Sequence, residues 1–110
     1  MNSHRLEFGG KMYIISGSFK AKDECRADLI SMAKKLITPS QAEEGCISYN
    51  VYESPLNPGE FLFFERWKTR EAITNHFEQP YFKDFSQKFP AMIVGSAQIE
   101  IHEVKGTEQV

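Results

Sequence analysis

FLFFERWKTREAITNHFEQPYFKDF, residues 61–85, opens as an apolar strand and turns at Lys68–Thr69–Arg70. It continues as an amphipathic helix to about Phe77 and restarts at Pro80, a residue tolerated at the first position of a new helix. Ala72, Ile73, His76 and Phe77 share one face of the first helix, and Tyr81, Phe82, Phe85 and Phe89 form the stripe of the second. The sole tryptophan, Trp67, closes the strand. His76 follows it by about two and a half helical turns. Aromatic bulk and one imidazole therefore meet at one end of the fold, as the rim of an apolar pocket.

Upstream of this run, the loop SPLNPG (54–59) is dense in turn residues and joins the strand 60–67 to a preceding strand, CISYNVYE (46–53). Gly45 stops a helix that opens at Asp23, a plausible N-cap, and carries Cys25, Leu29, Met32, Ala33 and Leu36 at helical spacing. Pro39 removes a backbone donor from its last turn, and the helix runs on with a kink to about Ala42. MYIISGSFK (12–20) is a first strand, weakened at Gly17, where a bulge or close approach is expected. Downstream, AQIEIHEV (97–104) alternates strictly as a fourth strand.

The order β-α-β-β-α-(α)-β is the split βαβ pattern of the α+β class: a ferredoxin-like, four-stranded antiparallel sheet with helices on one face. In FLFF both faces of a strand are apolar, which asks for cover on the second face as well. A chain of 110 residues has nothing left to supply it. The expectation is a homodimer whose two sheets pack face to face as an α+β barrel.

The length fits one domain, read here as 11–105, between a mobile leader (1–10) and a short polar tail (106–110). A net charge of −2 with signs mixed gives no reason to expect nucleic acid or an anionic membrane as partner. No apolar run approaches the ~20 residues of a membrane span. Without a secretory leader, Cys25 and Cys46 read as reduced thiols in the cytoplasm.

Glu44–Gly45–Cys46 with Ser48–Tyr49, Asn57–Pro58, Glu60–Phe61, Phe64–Glu65–Arg66–Trp67, Ala72, His76–Phe77, and Pro80 with Phe82 and Phe85 form a collinear series. In this series the chain resembles the antibiotic biosynthesis monooxygenase domains, in particular small bacterial quinol-monooxygenase-like proteins. The resemblance runs from Ile14 to about Val104. It implies a dimeric α+β barrel and oxygenation of quinol-type or polycyclic aromatics by O2 without flavin, haem or metal, in an apolar cavity between sheet and helices. Other branches of the family degrade haem or process signalling molecules. Two positions depart from the pattern: Tyr81 stands where many members carry a second histidine, and Phe63 where anthrone-oxidising members carry asparagine. The second departure argues against anthrone as the substrate.

A cofactor-free oxygenase needs a base, a dry pocket and an orientation. His76, with an ordinary pKa of about 6.5, is the candidate base. The plainer alternative is a histidine that packs the helix end. Trp67 is expected to wall the cavity and to offer its indole N–H to a substrate oxygen. Glu65 shares the strand face of Phe63 and Trp67 and either orients His76 or pairs with a nearby cation. Tyr49 and Asn50 are candidate polar anchors on opposite faces of one strand. Phe61, Phe63, Phe77, Tyr81 and Phe82 are candidate walls. Two readings compete with the oxygenase: a haem-degrading or signal-processing enzyme on the same scaffold, and a non-catalytic binder of small hydrophobic ligands. Haem would have His76 as its axial ligand.

Overall fold

The computed structural model describes residues 4–6, as backbone, and residues 12–110. In chain order the elements are β1 (His4–Leu6), β2 (Met12–Ala21), α1 (Arg26–Gln41), β3 (Cys46–Glu53), β4 (Glu60–Trp67), α2 (Arg70–Phe77), α3 (Pro80–Lys88), β5 (Ile93–Val104) and β6 (Thr107–Gln109). Short 3-10 turns precede α1 at Asp23–Cys25 and follow α3 at Phe89–Met92. β2 to β5 form one antiparallel sheet in the order β3-β4-β2-β5, the ferredoxin-like arrangement expected.

β3 and β4 fall on the residues anticipated, because a dense turn sequence separates two β-rich runs. Thr69 caps α2, its Oγ1 accepting from the Ala72 N–H at 3.0 Å. Asp23 does not cap α1: residues 23–25 make a 3-10 turn and no side chain caps the helix start. α1 continues through Pro39 to Gln41. β5 begins four residues before the alternating run, at Ile93. There Ile93 and Val94 pair with Ala21 and Lys20 beyond a register shift in β2. Within the stretches read as leader (1–10) and tail (106–110), His4–Leu6 pairs antiparallel with Thr107–Gln109; residues 1–3 and 7–10 lie outside the described residues.

The helices cover one face of the sheet. Leu29 and Leu36 of α1, Ile73 of α2 and Phe85 of α3 are buried against Ile15, Phe19, Phe61, Phe63 and Trp67. Strand alternation puts Ser48, Asn50 and Tyr52, Leu62, Phe64 and Arg66, and Ile14 and Ser16 on the other face. That face is uncovered in the single chain: Tyr52 is 54% and Leu62 37% exposed. On that face Arg66 lies over the Phe64 ring, 5.7 Å from its centroid. Among the described residues no helix is long and apolar enough to cross a membrane.

Candidate active site

β4 supplies the floor of the site. Its period of two turns Phe61, Phe63, Glu65 and Trp67 toward the helices. Glu65 is flanked by Ile15 of β2 and Tyr49 of β3, and Gly17 lies opposite Phe63. α3 and the following 3-10 turn lie above this floor. Between the two layers is a cavity of about 380 Å³. Ile15, Gly17, Tyr49, Phe63 and Glu65 line it from the sheet, and Phe77, Phe82, Phe85 and Phe89 from the helices. Its volume lies in the range of small-molecule sites, and its walls are almost wholly aromatic and aliphatic.

One carboxyl group reaches this apolar space. Glu65 is 5% exposed, and the Trp67 indole N–H donates to its Oε1 at 3.0 Å. Burial pushes the Glu65 pKa up to about 8; the Trp67 hydrogen bond opposes that rise and the charge of Glu43 adds to it. Tyr49, buried beside Glu65, has its phenol pKa raised by burial. Cys46 is pushed up to about 11 by burial and then by Glu43 and Glu65, so it stays an unreactive thiol.

The structure brings Trp67 and His76 together as anticipated, with ring centroids 4.8 Å apart. They pack directly against one another, and neither is among the residues that line the cavity. The His76 ring also packs on Tyr49, at 5.3 Å, and on Phe82, at 4.8 Å. Burial lowers its pKa, against the hydrogen bond and charge of Glu43, which raise it. Three expectations are corrected. The indole N–H of Trp67 is taken by Glu65 rather than open to a substrate, because the two side chains are neighbours on one strand face. Glu65 does not orient His76; Nδ1 of His76 lies 2.7 Å from Glu43 Oε2 instead. Of the anticipated walls, Phe63, Phe77 and Phe82 line the cavity, whereas Phe61 and Tyr81 do not; of the two candidate anchors, Tyr49 lines it and Asn50 does not. Asn50 faces the opposite side of the sheet, Phe61 stacks on Phe19 at 5.4 Å, and the Tyr81 hydroxyl donates to Glu43.

Glu43 is the site residue that sequence reasoning missed. It stands in Glu43–Glu44–Gly45, immediately before the helix stop. Its side chain meets both His76 and Tyr81.

Residues 12–88 match a family described as antibiotic biosynthesis monooxygenase. The chain is 37% identical over 95 residues to an uncharacterised protein of Synechocystis, covering 86% of this chain and 65% of that protein. It is 36% identical over 67 residues to a Mycobacterium tuberculosis protein named "Putative monooxygenase", covering 61% and 65% of the two chains. A Bacillus subtilis protein bearing the same description is 32% identical over 77 residues, with 70% and 81% covered. The chain thus spans just under two thirds of the length of the first two of these relatives. The solved structure of a Mycobacterium tuberculosis protein superposes with a TM-score of 0.79 at 26% identity, covering 83% of this chain and 92% of that one. A conserved protein of Methanosarcina mazei does so at 0.80 and 25% identity, with 84% and 92% covered.

Proposed function

The chain belongs to the antibiotic biosynthesis monooxygenase family, and from that premise we propose that it oxygenates a small electron-rich aromatic of the quinol type, with Glu65 as the base that touches the substrate. The observation that carries this reading is the position of Glu65: a carboxyl in the wall of an otherwise apolar cavity, with its pKa raised to about 8. A carboxylate of that basicity is far better matched to a phenolic proton than an ordinary one. Deprotonated hydroquinone passes an electron to O2, and recombination and loss of water leave one oxygen atom on the ring and the other in water. The chain's part is to take the proton at Glu65, hold the ring among Phe63, Phe82 and Phe85, and keep water away. Trp67 fixes the Glu65 carboxyl, and His76 supports Trp67 from behind. In this reading His76 moves from base to support, since it is absent from the cavity wall; the same position counts against it as a haem ligand.

Oxygen uptake with a panel of hydroquinones tests the proposal. Turnover in the wild type that falls by at least ~100-fold in Glu65→Gln supports it. Binding of the same aromatics without oxygen uptake would leave a ligand carrier instead.

We also infer that the uncovered sheet face is closed by a second copy of the chain. Tyr52, Leu62, Phe64 and Ile14 supply apolar surface there, and Arg66, Asn50 and Ser16 supply polar groups between them. Light scattering at micromolar concentration reads the outcome, and a monomeric mass rejects the dimer.

A further inference from the structure

His76 has one bonded ring nitrogen and one bare one. Nδ1 lies 2.7 Å from Glu43 Oε2, while Nε2 is buried with no hydrogen-bond partner among the described residues. The Tyr81 hydroxyl donates to that same Oε2. An ionised carboxylate oxygen accepts both bonds, which puts the proton of the neutral imidazole on Nδ1 and the lone pair on Nε2. An unconstrained histidine side chain favours the opposite tautomer, so the carboxylate imposes this one.

Position in the chain adds a second consequence. Glu43 follows the end of α1, His76 lies in the last turn of α2, and Tyr81 in the first turn of α3. A single carboxylate therefore ties three elements together. Next to the two tied residues stand Phe77 and Phe82, whose rings stack at 5.0 Å and 29° and both line the cavity. On its other side the His76 ring packs against Trp67, the residue that bonds Glu65.

We propose that Glu43 is a positioning residue of this site, acting through His76: it fixes the Nδ1–H tautomer and pins the α2–α3 junction against Trp67 and the Phe77–Phe82 wall. The kinetic consequence rests on the reading of Glu65 as the base; the tautomer does not. Glu43 is not among the residues that line the cavity and is not the group that reacts.

Nitrogen-15 NMR of the imidazole decides the first half. The wild type is expected to show Nδ1 protonated and Nε2 bare, Tyr81→Phe to keep that pattern, and Glu43→Ala to revert to the Nε2–H form. A wild-type spectrum with Nε2 protonated overturns the proposal even if Glu43→Ala fails to fold, and so does a Glu43→Ala spectrum like the wild type. Kinetics decide the second half. Glu43→Ala should lower kcat with a hydroquinone by about tenfold or more, with KM changing far less, because Glu65 loses its orientation rather than the substrate its pocket. Full kcat in a variant whose tautomer has reverted overturns the positioning role and leaves Glu65 as base untouched. If the wild type takes up no oxygen, the oxygenase reading falls instead. Glu43 is then judged on 1-naphthol: roughly tenfold weaker binding in Glu43→Ala upholds its hold on the cavity wall, and unchanged binding rejects it.

Discussion

Trp67 donates its indole N–H to Glu65 Oε1 at 3.0 Å, two positions along one face of the same strand. That bond favours the charged carboxylate, against burial and the nearby Glu43, which favour the neutral acid. Replacing Trp67 with phenylalanine keeps an aromatic ring in place but removes the donor. The expected result is a kcat/KM profile whose rising limb moves above its wild-type position near pH 8. A profile that stays put would mean that the indole does not tune the acid. Truncating a fully buried ring should also cost about 2 kcal/mol of stability, read by denaturant unfolding.

Glu65→Gln should change stability as well as rate. The folded-state pKa of about 8 is above the ordinary value of 4.5. Between those two pH values the unfolded chain has released the proton that the fold retains, so stability is full below about pH 4.5 and falls as pH rises to about 8. Glutamine does not titrate. The variant should therefore lose this decline, and its advantage over the wild type should grow from pH 5 to pH 8. Parallel curves of unfolding free energy against pH would show that Glu65 is not buried as an acid.

The order of elements was legible because each boundary carries its own local chemistry: the turn 54–59, the Thr69 cap, Pro80 at a helix start. The four-stranded sheet follows from that order. The site was legible only in part. Alternation along β4 places Glu65, Phe63 and Trp67 on one face, and helical spacing adds Phe77 and Phe82. Which of two adjacent polar groups turns to the cavity is a question of side-chain packing across elements far apart in sequence. His76 and Glu43 are 33 residues apart, and no spacing rule links a turn acid to a helix-end imidazole. The same gap explains why Tyr81, placed correctly on α3, was read as a wall although its hydroxyl reaches Glu43.

Gly45 sets the turn that carries Glu43 toward His76. Its φ is +88°, a conformation that side-chain-bearing residues rarely adopt, and a Cβ there would come within 2.7 Å of the Ala72 Cβ. Its carbonyl also accepts from the Lys68 N–H at 2.8 Å, so the turn cannot move away freely. Gly45→Ala should cost about 2 kcal/mol or more in equilibrium unfolding. Adding Ala72→Gly should recover only the part due to the clash, since the backbone strain remains. Full recovery in the double variant would show that the φ value carries no cost.

Gly17 separates stability from function more cleanly. It sits within β2, opposite Phe63 and Ile99, and lines the cavity. A Cβ there would lie 3.6 Å from the Phe63 Cβ and 3.7 Å from the Ile99 Cγ1, which is ordinary contact, so alanine fits. Glycine in a strand costs roughly 0.5–1 kcal/mol relative to alanine through its freedom in the unfolded chain. A valine should therefore leave the melting temperature unchanged or raise it, while its methyl groups take space from the 380 Å³ cavity. Each methyl-sized loss of fit in an apolar pocket is worth about 10-fold or more in discrimination between ligands. Binding of 1-naphthol should weaken at least that much in Gly17→Val, and binding of the smaller hydroquinone less. Equal affinity for both ligands in the wild type and in a well-folded Gly17→Val would place the aromatic ligand somewhere other than above Gly17 and Glu65, and the assignment of Glu65 as base would go with it.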